Sequence, residues 1–283
     1  MINLVLSSHR ISDAQICPRL LFYKNVLLRV PLKNYDYNME GELIHHIMKL
    51  YYKSIMDKQE IDLKLLMELG RNYAAKNLEL NSELVEKAIK AAEMYFEYYN
   101  SLGESWEVIG VEEPFAKTLF ENDSIRVIIT GTIDLIVKTN YGNGPTLIVD
   151  HKYESQFRAK RERDNQPLCY CWATGLRDFI YNRIGKQASY KPKDRLKREP
   201  WISYTEEQIN EWEDATLATA LEIIRYNEAK VYPPRITGCQ VFGRKCTYYD
   251  VCNTSPKTRE FKLKTFFKEA PPYDKDLMDR EEG

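Results

Sequence analysis

The chain has 283 residues, 43% of them hydrophobic, with 20 tyrosines and 10 phenylalanines; that much apolar surface supports a sizeable core and excludes a disordered chain. Its 41 Lys and Arg almost cancel its 42 Asp and Glu, so affinity for nucleic acid has to come from local patches and not from overall charge. No apolar run reaches the length of a bilayer span and the opening MINLVLSSHR lacks a leader pattern, so a cytoplasmic protein is expected, with its six cysteines reduced or metal-bound.

At this length one elaborated domain over residues 1–270 is expected, with a flexible tail at 271–283. Ser12 or Asp13 caps an expected first helix over residues 12–28, where Ile16, Leu20 and Tyr23 fall at helical spacing. Gly41 to Met56 reads as a second helix, and Leu63 to Tyr99 as a third helical region with a break near Asn81, which makes residues 8–100 mostly helical. Composition then shifts to β-branched and aromatic residues. Trp106–Leu119, Ile125–Thr130, Ile133–Lys138 and Thr146–Lys152 read as strands of a sheet core over 104–184, with hairpin turn chemistry in Tyr141-Gly-Asn-Gly-Pro145.

Helix returns from about Asn165 to Leu176, and Phe179–Ile184 and Trp201–Tyr204 read as further strands. Between them Lys186 to Arg198 is crowded with Lys and Arg, which makes it either a phosphate-contacting loop or a solvated surface segment; Arg158 to Arg163 is a second basic stretch. Thr205 with Gln208 has the spacing of a capping box, opening a helix to about Lys230 within a C-terminal part, 201–256, that carries three cysteines.

Hydrolysis of a phosphodiester needs a cation that polarises the phosphate and acidifies a bound water, and hard cations are held by carboxylates. Asp134 lies early in one expected strand and Asp150 late in its hairpin partner, so antiparallel pairing brings them to one neighbourhood. Lys152 is two residues beyond Asp150 and shares its face of the strand, where its cation can orient water or offset charge on the phosphate. Asp62-Leu-Lys64 and Gly175-Leu-Arg-Asp178 have the same spacings as Asp150-His-Lys152 and Gly131-Thr-Ile-Asp134, but only the latter two are joined as a hairpin. Spacing of four also puts Gln166 and Tyr170 on one helical face.

Taken in order, Gly41-Glu-Leu-Ile-His45, Gly131-Thr-Ile-Asp134, Asp150-His-Lys152 and Gln166-Pro-Leu-Cys-Tyr170 resemble the four motifs of the RecB-like branch of the PD-(D/E)xK nucleases. The resemblance runs from about Ser8 to Cys252. It implies a restriction-endonuclease-like α/β fold, a central mixed sheet flanked by helices with helical N- and C-terminal additions. It also implies magnesium or manganese held by His45, Asp134, Asp150 and the backbone carbonyl of His151, with Asp134, Asp150 and Lys152 catalytic and Gln166 and Tyr170 placing substrate. The implied substrate is DNA, at single-stranded or resected ends, in recombination, replication or CRISPR adaptation, with recombination or replication proteins as partners and the host cytoplasm as location if a virus encodes the chain.

Cys17 near one end and Cys239, Cys246 and Cys252 near the other resemble the one-plus-three cysteine layout of AddB-like and CRISPR-adaptation nucleases, which implies a 4Fe-4S cluster clipping the two ends together. Five residues separate Cys246 from Cys252 as in that family, whereas six separate Cys239 from Cys246 where two are usual. Either a turn around Gly243 absorbs the excess or Cys239 is not a ligand. Four cysteines suit zinc as well. Cys169 and Cys171 read as packing thiols. Two rivals to the nuclease remain: a non-catalytic nucleic-acid-binding module of the same fold, and a zinc-stabilised scaffold.

Overall fold

The computed structural model describes residues 1–32, 36–103, 105–157, 164–186, 191–241 and 244–270. Its helices are α1 (Ser8–Ile16), α2 (Pro18–Leu21), α3 (Asp36–Met56), α4 (Leu63–Asn77), α5 (Ser82–Ser101), α6 (Asn165–Thr174), α7 (Pro192–Arg195), α8 (Glu206–Ala229), α9 (Tyr249–Cys252) and α10 (Pro256–Phe266). The strands are β1 (Ile2–Leu6), β2 (Arg29–Pro31), β3 (Glu107–Glu121), β4 (Ile125–Lys138), β5 (Thr146–Glu154), β6 (Asp178–Gly185), β7 (Leu196–Arg198), β8 (Ile202–Ser203), β9 (Gln240–Val241), β10 (Arg244–Lys245) and β11 (Phe267–Glu269). Two compact units emerge: a sheet unit of Asp36–Glu113 and Thr132–Glu206, and a terminal unit of Met1–Tyr35, Pro114–Gly131 and Glu207–Gly283.

In the sheet unit β4 and β5 pair antiparallel with Leu135 opposite Val149, β5 and β6 pair parallel, and β7 and β8 add antiparallel to β6. The sheet is mixed, and α3, α4 and α5 cover one face. Leu43, Ile44, Ile47, Met48, Tyr51 and Tyr52 of α3 and Ala88, Ile89, Ala92, Tyr95, Phe96 and Tyr99 of α5 recur at helical spacing and are buried with Leu135, Val137, Leu147 and Val149. Gly70 is where α4 comes closest: a Cβ there would lie 2.9 Å from the Ile47 side chain. Because side chains alternate along β5, Val149 faces these helices while Asp150 and Lys152 face away from them. Asn81 is the N-cap of α5, as the expected break requires, and its Oδ1 accepts from the Leu84 N–H at 2.9 Å.

The terminal unit contains β1 running parallel to the first residues of β4, the β2–β11 and β9–β10 pairs, and α8 to α10. The expected helix over residues 12–28 is corrected here. Ser7, not Ser12 or Asp13, caps α1, and the helix stops at Cys17, whose backbone is extended at φ −166° and ψ 121°. Pro18 is the cause, because the ring disfavours helical conformation in the residue before it; α2 then starts on the proline, and Phe22–Val26 form a π-helical turn. Asp13 is buried and engaged with Lys24 and Asn25. The expected tail at 271–283 and the basic stretch at 158–163 lie outside the described residues. Among the described residues no helix is long and apolar enough to cross a membrane.

Candidate active site

His45, Asp134, Asp150, His151, Lys152, Gln166 and Tyr170 all lie in the sheet unit. The β4–β5 register places Asp134 and Asp150 side by side, one step beyond the Leu135–Val149 pair. Asp150 is fully buried. Its Oδ2 lies 2.6 Å from Lys152 Nζ and its Oδ1 accepts from Gln166 Nε2 at 2.8 Å. Gln166 Oε1 accepts from Lys152 Nζ at 2.8 Å, which closes a three-membered ring of acid, amide and ammonium, and Gln166 Nε2 also reaches the Tyr170 hydroxyl at 3.0 Å. The two-residue strand period and the four-residue helix period thus produce this group as expected. Gly175, in the left-handed region at φ 75°, ends α6.

Asp134 anchors the other half. Its Oδ2 accepts the His151 backbone N–H at 2.8 Å and sits 3.3 Å from His45 Nδ1 of α3. Neighbouring His46 turns elsewhere and stacks on Tyr73 at 3.7 Å. In a strand the N–H and C=O of one residue point to the same edge, so the His151 carbonyl faces the Asp134 side too. The His151 ring does not: it is buried against Tyr52 and Asn182 Nδ2 lies 3.0 Å from its Nδ1. Burial holds that imidazole neutral, its pKa lowered to about 3.

A further acid, Glu112 of β3, was not found from the sequence. One ligand atom each from His45, Glu112 and Asp134 falls within 4.8 Å of the others. Glu112 has φ 53°, a left-handed conformation costing about 1–3 kcal/mol for a non-glycine residue, which breaks the strand's alternation and turns the carboxylate to the site. The only local sign is punctuation, Gly110 and Pro114 bracketing the acid inside the strand.

The charges show what this arrangement lacks. Burial raises Asp150 above the usual carboxylate range, Lys152 opposes that, and Asp134 adds to it. Burial also pushes Glu112 up to about 7, with Asp134 contributing. Burial alone would lower His45, but the Asp134 carboxylate overrides it and raises the imidazole to about 9; reciprocally His45 holds Asp134 low against its own burial. Protons thus sit among acids that a cation would neutralise. One imidazole and carboxylate oxygens suit magnesium or manganese, so the residues fit a divalent ion.

The cysteines form a separate group within the terminal unit. All six are unpaired thiols. Burial raises Cys246, and Cys252, Cys17 and Cys239 all act on it electrostatically, which places the four together. Across the six-residue gap Gln240 pairs Lys245, Val241 pairs Arg244, and the Cys246 N–H donates to the Cys239 carbonyl at 2.9 Å, while Gly243 lies outside the described residues. Cys17 Sγ accepts the Arg235 N–H at 3.3 Å. Tyr23, Tyr248, Val251, Leu263 and Phe267 pack into a cluster that Cys246 and Cys252 join. Cys169 and Cys171 are buried in α6, and burial pushes both thiols up, Cys171 to about 12.

Other sequence features resolve as structure. Asp62 of the Asp62-Leu-Lys64 decoy caps α4, accepting from the Lys64 and Leu65 N–H groups at 2.9 and 3.3 Å. In the basic segment at 186–198, open in the sequence between a phosphate-contacting loop and a solvated surface, three cations have partners within the protein. Lys186 is paired with Glu40, Arg195 donates to the Gly185 carbonyl, and the Arg198 guanidinium lies 3.9 Å from the Tyr99 ring centre and 3.8 Å from that of Trp106. Residues 187–190 lie outside the described residues, while Lys191, Lys193 and Lys197 are exposed.

The family model of the PD-(D/E)XK nuclease superfamily matches residues 5–253. No curated relative matches. A solved structure, "Crystal structure of SSO0001", is 13% identical over 82% of this chain and 79% of that one, with a TM-score of 0.34, a likeness too slight to carry an argument.

Proposed function

Since the chain belongs to the PD-(D/E)XK nuclease superfamily, a family of metal-dependent nucleases, we propose that it is a deoxyribonuclease acting at single-stranded or resected DNA ends. Convergence carries this reading: Asp150, Lys152 and Gln166 form one hydrogen-bonded group, and Asp134 joins them to His45 and Glu112. His45, Glu112, Asp134, Asp150 and the His151 carbonyl would hold magnesium or manganese, which supplies a polarised phosphate and a more acidic water. Lys152 orients that water and offsets charge on the phosphate. Gln166 keeps Lys152 and Asp150 in register, and Tyr170, its hydroxyl kept neutral by burial and by both acids, faces the substrate side with it. The RecB-like branch, with roles in recombination, replication or CRISPR adaptation, is part of the same proposal.

For the cysteines we propose a 4Fe-4S cluster with a structural role. Cys252, Cys17 and Cys239 all act electrostatically on Cys246, which supports one group held by the four thiols.

Incubating end-labelled single- and double-stranded DNA with manganese or magnesium tests the catalytic reading. Wild type should shorten the strands and Lys152→Ala should lose at least roughly a hundredfold in rate. DNA binding without cleavage in both proteins would mean a non-catalytic module. Anaerobically purified protein should be brown and contain iron; stoichiometric zinc in colourless protein would refute the cluster and leave the nuclease standing.

A further inference from the structure

We propose that Lys49 is a backbone anchor for the DNA, its ammonium taking a phosphate beside the one that is cut. The proposal rests on the nuclease reading. Lys49 follows His45 by one helical turn of α3, a spacing that sets their Cβ atoms about 6 Å apart on one face. His45 stands at the border of the buried stripe formed by Leu43, Ile44, Ile47, Met48, Tyr51 and Tyr52 and is half-buried at the site, while Lys49, further from that stripe, is exposed.

Three observations bear on the role of Lys49. It enters no ion pair among the described residues, so its ammonium is open to an incoming anion. Its charge acts on Glu112 and on His46, so the ammonium lies near both. It also stands before the last turn of α3, where Lys53 already complements the helix dipole, so the dipole does not account for it.

The chemistry requires such a group. A polyanion approaching Glu112, Asp134 and Asp150 is repelled until it meets cations, and the metal neutralises only the scissile phosphate's surroundings. Of the cations in the charge run, Lys186, Arg195 and Arg198 have structural partners, while Lys191, Lys193 and Lys197 are exposed. Lys49 adds a charge from the His45 side.

The test is steady-state cleavage of end-labelled oligothymidylate with manganese across a salt series, using the full chain. Lys49→Ala should raise KM by roughly two- to fivefold with kcat unchanged, and the dependence of log KM on log salt should flatten by about 0.7, the share of one phosphate contact on a single strand. Lys49→Arg should keep the wild-type slope. A wild-type salt slope in Lys49→Ala, or a loss confined to kcat, overturns the proposal. Wild type that cleaves no DNA overturns the nuclease reading, and this proposal with it; active wild type with an unaltered Lys49→Ala overturns this one alone.

Discussion

Without a cation the acids at Asp134 rely on protons, so metal binding must expel protons. At pH 7 His45, raised to about 9 by Asp134, keeps nearly a whole proton, and Glu112, raised to about 7 by burial, keeps about half of one. Binding of one manganese or magnesium ion therefore releases about one and a half protons, with a smaller share from Asp150. The sign follows: these raised groups are protonated in the free protein and must be deprotonated in the complex, so apparent affinity rises with pH. Near pH 7 it should gain about 1.5 log units per pH unit, near pH 8 about 1, and little once pH passes the His45 value. Calorimetric titration with manganese in buffers of different ionisation enthalpy reads the proton number directly. Glu112→Gln removes the half-proton and should lower the number to about one. A proton number near zero in the wild type, or an affinity flat between about pH 6 and 8, would refute the shared ion site.

Three other perturbations probe separate parts of the molecule. Gly238→Ala places a Cβ 2.6 Å from the Ile16 carbonyl and 3.1 Å from Cys17 Cβ, so it should cost about 1–3 kcal/mol and speed loss of the proposed cluster, followed by denaturant midpoint and iron release to a chelator. Arg198→Ala removes a cation held between Tyr99 and Trp106 that also donates to the Tyr95 hydroxyl at 3.2 Å; urea unfolding should show a loss of about 2 kcal/mol, which Arg198→Lys restores only in part. Asp62→Ala deletes the α4 cap and should cost about 1 kcal/mol while leaving cleavage rate unchanged; a lost rate would mean that this Asp-x-Lys is not the bystander its geometry makes it.

The parts of the site that the sequence made legible are those set by local periods. Asp150 and Lys152 share a strand face, Gln166 and Tyr170 share a helix face, and a short hairpin brings Asp134 alongside, so spacing alone carries the geometry. Glu112 escaped because its orientation comes from one positive φ angle and from the pairing of β3 with β4, neither of which follows any period. The Cys17–Pro18 break was readable in the proline, yet helical spacing of Ile16, Leu20 and Tyr23 pointed across it. Charge runs mislead for a related reason: counting cations at 186–198 does not tell which ones find Glu40, a carbonyl or two aromatic faces. Cysteine spacing is a poor guide to proximity in the same way, since the pairing of Gln240 with Lys245 and of Val241 with Arg244 brings Cys246 within backbone hydrogen-bond reach of Cys239. Glu112 and Cys246 both owe their neighbours to strand pairing: residues whose spacing carries no motif come together where a ladder delivers them.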